Sequence, residues 1–530
     1  MESIPEKSMQ KLIIFIQKKQ STLITLGLVL AAILGIALII HATNYGPWVF
    51  SDASTYIWTA INLADGKGLV IQNPSGSYDV LTWHPPLFSL LLSIPIAFGA
   101  DALQSARWIN AISFGIMVFL SGFATWRYTR SFLATLSVTG VTVFAMDLIY
   151  VFSGAMSEAI FFVLGFISLL LLVEAILSTT KTGVMIVAGI LAGLSYLARY
   201  TGVAFVGVVV LIPLIFLPGT FWQRLRTMLS AGVPAVIIPV AWSVFVFLSN
   251  RTIGGRGVLA GENLRLNFSD YIQNAWEVIT GWIPFILRGN HILPAEWKFG
   301  LGVLIVAVVL VVGVKSYLKK TLNSPERIHI IWLSTVGLFL IAYLGFHILS
   351  YIFSSAAPAV DRRLLSPLLF SGILLLGAIF SLPNHIAFKV IRLFEWIFLV
   401  YAIISVLYFH GSLRLYLYDQ HHYGMGYTSK RWEDSGLVRE AIQLDERALL
   451  ASNNEEILFF HSGRFPYALD LPQAARGKME LPADEAYLVL FRQDAVYFFG
   501  DQGDEYLSQV RQFCDVIFED NEGYICWWEK

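Results

Sequence analysis

The chain has 530 residues, of which 56% are hydrophobic and 14% charged, with two cysteines and a formal net charge of −1. A soluble chain carries about a quarter of its residues charged, and here the apolar residues come in long blocks, which points to membrane spans. The near-zero charge offers nothing to a nucleic acid, and Cys514 and Cys526 alone make neither a disulfide framework nor a four-ligand zinc site.

A span takes about 20 apolar residues, and cytoplasmic loops are rich in Lys and Arg. The first apolar run, 22–40, is too long for a signal-peptide core. It reads as span 1, its start held in the cytoplasm by Lys11, Lys18 and Lys19. An external loop, about 41–106, follows with Asp52, Asp65 and Asp79 against Lys67. Inside it, 85–98 is apolar but short and proline-flanked, and reads as lying at the interface. Spans 2 to 7 are expected near 107–125, 131–152, 158–177, 184–198, 203–217 and 232–249, with Arg127, Arg130, Lys181, Arg224 and Arg226 in cytoplasmic turns. Without a turn at Arg199-Tyr200-Thr201-Gly202, residues 184–217 form one overlong helix with an arginine in lipid, so a break at the surface is preferred.

A second external loop, about 250–298, holds Arg251, Arg256, Glu262, Arg265, Asp270, Arg288 and His291. Its Gly254-Gly255-Arg256-Gly257 lacks the strand and helix that frame a phosphate-binding fingerprint, and the segment reads as a flap over the site. Spans 8 to 11 fall near 299–314, 328–350, 364–381 and 393–409, separated inside by Lys315, Lys319, Lys320, Arg327, Lys389 and Arg392. The domain division is 1–410 in the membrane and 411–530 outside it. His421-His422 has no further ligand at metal spacing and reads as part of a loop. The tail reads as a helix (434–449), strands at 456–460 and 486–491, a helix (503–512) and a hairpin pairing 513–519 with 523–528. Whether Cys514 and Cys526 pair stays open. The fold class is therefore mainly α: a polytopic bundle of about eleven spans with external loop helices and a small external α/β C-terminal domain.

Asp52, in Ser51-Asp52-Ala53-Ser54-Thr55-Tyr56, opens a short amphipathic helix just after span 1. A carboxylate there can take a proton from a hydroxyl, hold a divalent cation or cap the helix. Span 1, this Asp, and then Trp83-His84-Pro85-Pro86-Leu87 and Arg107 resemble the GT-C superfamily of glycosyltransferases, which includes the protein O-mannosyltransferases and the lipid A aminoarabinose transferases. Gly426-Tyr427-Thr428-Ser429, with Trp432 and Ser435, is similar to the junction after the last span in bacterial members. The likeness covers about residues 20–380. Asp52-Ala53 stands where the mannosyltransferases carry an acidic pair, so their second acid is missing here.

The resemblance implies Asp52 as general base or acceptor-orienting group, with Tyr56 and His84 lining the site. It also places an acidic residue at Glu158, for which a first-turn capping role is the alternative. Asp147, eleven residues earlier, is expected on roughly the same helical face. Arg199 beside Gly202 matches a basic position of these enzymes, and Asp361-Arg362-Arg363-Leu364-Leu365-Ser366-Pro367 resembles the basic segment opening a late span. A guanidinium fork suits phosphate, so Arg199, Arg362 and Arg363 are the expected donor-phosphate ligands; a salt bridge from Arg362 or Arg363 to Asp361 is the alternative. The implied activity is sugar transfer, with inversion, from a polyprenyl-phosphate donor to a hydroxyl of a glycan, lipid or protein acceptor. The only cofactor suggested is a divalent metal ion, with Asp52 and His84 as candidate ligands. Rival readings are a transporter or flippase for lipid-linked sugars, an O-antigen-type polymerase or ligase, and a non-catalytic membrane scaffold. The ionisable residues cluster at the outer surface, not at the midplane, which runs against transport.

Overall fold

The computed structural model describes residues 6–72, 77–178, 182–250, 259, 269–284, 324–355, 360–381, 388–445, 447–479 and 481–530. Fourteen helices build the first four-fifths of the described chain: α1 (Glu6–Ala42), α2 (Ser51–Ala64), α3 (Leu87–Ala97), α4 (Ala102–Thr129), α5 (Phe132–Phe144), α6 (Met146–Phe152), α7 (Glu158–Leu177), α8 (Thr182–Ala198), α9 (Val203–Phe216), α10 (Phe221–Asn250), α11 (Ser269–Thr280), α12 (Ser324–Phe353), α13 (Arg362–Phe380) and α14 (Phe388–Tyr423). Seven are long and apolar enough to cross a membrane, or eight if α5 and α6, bent by 54° at Ala145, count as one broken span. This is a multi-pass membrane protein.

Each expected span except the third and the eighth coincides with one of these helices, and the third, expected as one helix over 131–152, is divided at Ala145 into α5 and α6. The eighth span lies outside the described residues, as do Arg251, Arg256, Glu262, Arg265, Arg288, His291 and the glycine-rich segment at 254–257. Two of the coinciding helices are short: α8 has 17 residues and α9 has 14. At 1.5 Å per residue they reach about 20–25 Å, less than the roughly 30 Å hydrocarbon core. They meet at the sequence Arg199-Tyr200-Thr201-Gly202. Arg199 is extended there, with φ −150° and ψ 139°, and 200–202 form one 3₁₀ turn. Gly202 permits the reversal, because a Cβ on it would sit 2.4 Å from the Tyr196 nitrogen. The helix α3, in the segment expected at the interface, is 11 residues long, about 16 Å, and too short to cross.

The last apolar helix outruns its expected end. It continues to Tyr423, so His421 and His422 are helical, and the His421 ring stacks on His41 of α1 at 4.2 Å.

The remaining chain forms, among the described residues, a five-stranded mixed sheet. After a two-stranded hairpin of β1 (Val70–Gln72) and β2 (Tyr78–Val80), its strands are β3 (Leu450–Ser452), β4 (Tyr467–Ala468), β5 (Glu485–Phe491), β6 (Asp515–Asp520) and β7 (Gly523–Glu529), in the order β4-β3-β5-β7-β6. The segment expected as a strand at 456–460 is a helix, Glu455–Ser462. Asn454 caps it by accepting from the Ile457 nitrogen, and Glu455 and Glu456 in the first turn favour the helix dipole. A short apolar run such as Ile457-Leu458-Phe459-Phe460 carries no period that separates strand from buried helix. Cys514 and Cys526 form a disulfide that joins the segment before β6 to β7.

Candidate active site

The loop after α1 is clamped from two sides, and this fixes where α2 begins. Trp48 bridges to Gly154 and Val49 to Gly426, so three distant segments run side by side. Both glycines are required by contact. A Cβ on Gly154 would lie 2.3 Å from the Trp48 ring, and one on Gly426, at φ +74°, would lie 2.1 Å from the Val49 oxygen. Trp48 donates its indole N–H to the Tyr150 carbonyl at 2.8 Å, and the Tyr427 nitrogen donates to the Val49 oxygen at 2.9 Å. Asn110 donates its amide to the Gly154 and Met156 carbonyls from below.

Asp52 is the second residue of α2, and Phe50 is the N-cap, with no side-chain cap bond. The carboxylate is therefore aimed outward from the helix start. One of its oxygens, Oδ2, accepts from both Nη1 and Nη2 of Arg363, each at 3.1 Å, across 311 residues of chain. His84 Nε2 lies 3.8 Å from the other oxygen, Oδ1. Arg363 Nε stands 3.5 Å from Glu158 Oε1, and Arg199 Nη1 stands 2.6 Å from the same oxygen. Glu158, whose side chain is 3% exposed, thus joins two guanidinium groups, and Asp52 shares one of them. A buried carboxylate is tolerated when its charge is balanced in this way.

Burial pushes the Asp52 carboxyl up, but the charges of His84, Arg363 and Arg199 outweigh it and hold the group below its ordinary value. Tyr56, one turn along α2, is pushed up to about 12, chiefly by burial, and stays protonated. It accepts a hydrogen bond from Ser157 Oγ at 3.1 Å, and its ring lies 5.1 Å from that of His84.

Each arginine is set by a local device. Arg362 and Arg363 open α13, which Asp361 caps by accepting from the Leu364 nitrogen at 2.8 Å. The expected alternative, an ion pair with Asp361, gives way to this cap. Arg199 is presented by the break between α8 and α9. Tyr200 beside it donates to the Thr82 carbonyl at 3.0 Å, linking that break to the segment that carries His84.

Asp147 does not share a face with Glu158. The chain leaves helical geometry at 153–157 between α6 and α7, so an eleven-residue helical spacing does not apply. Asp147 instead lies 3.5 Å from Arg362 and accepts from Trp282 Nε1 at 2.7 Å. The guanidinium of Arg362 sits 5.8 Å over the Tyr150 ring and is 50% exposed. The two neighbouring arginines therefore serve different carboxylates. Sequence reasoning missed Trp282 and Tyr343. Tyr343 donates to the Leu364 carbonyl at 2.7 Å beside the Arg199–Glu158 pair, and its one signal is a hydroxyl in the middle of an apolar span. Asp52 and His84 are two ligand groups, and among the described residues no third His, Cys, Asp or Glu joins them in a metal-holding set.

No family model matches the chain, and no curated protein matches it. Among solved structures, ArnT from Cupriavidus metallidurans bound to undecaprenyl phosphate superposes with a TM-score of 0.51 at 14% identity, over 94% of this chain and 97% of that one. The fold is that of the GT-C membrane glycosyltransferases. The archaeal oligosaccharyltransferase AglB from Archaeoglobus fulgidus, in complex with an inhibitory peptide and a dolichol-phosphate, aligns with a TM-score of 0.48 at 13% identity, over 96% of this chain and 74% of that chain. The fold puts the loop acid Asp52, the acid opening α7, the arginine after α8 and the arginines opening α13 at one end of the bundle, the end that adjoins the C-terminal domain.

Proposed function

We propose that the chain transfers a sugar, with inversion, from a polyprenyl-phosphate donor to an acceptor hydroxyl at the external face of the membrane. The domain end of the bundle is that external face, the N-terminus is cytoplasmic, and residues 411–530 lie outside the membrane. In the reaction the acceptor oxygen forms a bond to the anomeric carbon, the carbon–oxygen bond to phosphate breaks, and polyprenyl phosphate departs with the electron pair. The acceptor's proton passes to Asp52 or, through a water, to bulk.

A carboxylate held below its ordinary pKa is a weak base but a constant acceptor at neutral pH. Asp52 therefore orients the hydroxyl and receives its proton late, as positive charge builds on the sugar. Arg363 is committed to Asp52 and Glu158, and fixes the acid's direction. Arg362 has an exposed guanidinium face and is the arginine that takes the donor phosphate, with Arg199 lending charge from behind Glu158. The ArnT that this fold resembles was solved with undecaprenyl phosphate, which supports a lipid phosphate as the carrier here.

The observation that carries this reading is the meeting of Asp52 with Arg363 across 311 residues, at the end of the bundle where the polar groups collect. The test is transfer in vitro from a panel of radiolabelled polyprenyl-phosphate sugars. Wild type labels an acceptor fraction from one donor, and Asp52→Asn, folded by gel filtration, loses about 10²–10⁴-fold in rate. Wild-type rates in that variant remove Asp52 from the chemistry.

A further inference from the structure

The C-terminal domain has a surface that sugar transfer does not use. The helix Arg492–Phe499 follows β5, and its last four residues, Val496, Tyr497, Phe498 and Phe499, are all exposed. Tyr497 is 80% accessible and Phe498 65%, while Ala495 on the other side of the helix is buried against the sheet. Contiguous exposed apolar residues of this kind mark a contact surface.

The sheet topology places this helix. Parallel strands β3, β4 and β5 all end at one edge, where the β6–β7 turn also lies. Phe491, the last residue of β5, packs its ring edge-on to Trp432 at 5.5 Å. Glu522 in the turn accepts from Ser435 Oγ and stands 3.9 Å from Arg431. The stretch containing Arg431, Trp432 and Ser435 follows directly on α14, the last apolar helix, and begins with the Tyr427–Val49 bond to the bundle. This edge of the sheet is therefore the one turned toward the helix bundle, and the helix springs from it: the Arg492 nitrogen donates to the Glu522 carbonyl at 2.8 Å.

We propose that Tyr497 and Phe498 dip into the headgroup region of the leaflet on the domain's side and hold the domain over the site. The occupant is lipid. The edge adjoins the end of α14, the end of the bundle at which Tyr418 and Tyr423 of α14, and Trp83 beside the site residue His84, are exposed. Amphipathic and aromatic rings collect at that depth of a bilayer. The only basic residue in the segment is Arg492, and it is paired with Asp504 at 2.7 Å. Asp494, Asp501 and Glu505 flank it. Attachment is thus by apolar burial and does not depend on anionic lipid or ionic strength. This inference stands apart from the transfer chemistry.

The experiment uses the full chain in nanodiscs of phosphatidylcholine. The native cysteines are joined to each other, so Phe498→Cys or Tyr497→Cys takes a nitroxide label alone. Phe513→Cys is the control: Phe513 is also apolar and 44% exposed, but lies before β6 at the opposite edge of the sheet. Collision with apolar oxygen, relative to a water-soluble nickel complex, should be several-fold greater at 498 than at 513, and unchanged between 0.05 and 1 M salt (chosen to span about 14 Å to 3 Å of Debye length). Tyr497→Cys gives the same reading should Phe498→Cys not fold. Equal, water-like values at 498 and 513 overturn the proposal, and so does dipolar broadening between labels, which would mean that a second copy covers the patch.

Discussion

At the scale of single residues, the acid and base balance of the site sets its behaviour. Glu158 is enclosed and faces two arginines. Glu158→Ala leaves two buried guanidinium groups without their anion, a cost of about 3–5 kcal/mol for a broken buried pair. A thermal unfolding midpoint several degrees lower in detergent, together with lost transfer, is the expected result, and Glu158→Asp should recover part of both. For Asp52 the sign follows from its depressed pKa. The folded value lies below the ordinary 3.8, so the stabilising pairing is complete above the unfolded pKa and is lost as pH falls through the folded one. Activity limited by Asp52 should hold flat from neutrality down through the ordinary 3.8 and drop only below it, with no such drop in Asp52→Asn. Charged residues were the legible part of this site, because an acid or arginine stands out in an apolar chain. Their pairing was not legible. Nothing in the adjacency of Arg362 and Arg363 says that one turns to Asp52 and the other to Asp147, since that depends on the 100° step between successive residues of a helix whose rotation is fixed by packing.

Helices and loops hold those residues in place through a few close approaches. The clamp of Trp48 and Val49 between Gly154 and Gly426 is one of these, and it decides where Asp52 stands. Gly154→Ala pushes a methyl into the Trp48 ring, and overpacking of this kind costs about 1–3 kcal/mol. The chain should still fold as a bundle, with the loss concentrated in transfer rate, because Trp48 moves α2. A variant with full activity and an unaltered melting curve would show that the clamp is slack. Hydropathy read the long helices well, since a 20-residue apolar block has one solution in lipid. It read the tail less well. The strand expected at 456–460 is a helix, and the short strands β3 and β4 went unseen because two or three residues carry no period. The hairpin at the C-terminus was legible from its alternation and from the polar turn Asp520-Asn521-Glu522.

Over the whole molecule, the charges and the disulfide bear on the proposed orientation from independent physics. Arg127 and Arg130 end α4, Arg224 and Arg226 begin α10, and Arg327 begins α12, all at the end away from the sheet domain. Basic residues at short turns stay on the cytoplasmic side. At the other end Cys514 and Cys526 are bonded, as thiols are in an oxidising compartment. Both agree with the external placement proposed for the sheet domain. The disulfide closes a loop of 12 residues in sequence separation, and a loop of that size contributes about 3 kcal/mol by restricting the unfolded chain. In a Cys514→Ser, Cys526→Ser background, single cysteines at Ser462 in the domain and at Gln223 in the first turn of α10 report the two faces. A membrane-impermeant maleimide should label Ser462→Cys in intact cells and Gln223→Cys only after lysis. The reverse pattern would bring the acid and its arginines to the cytoplasmic face, and the proposed external transfer would lose its site.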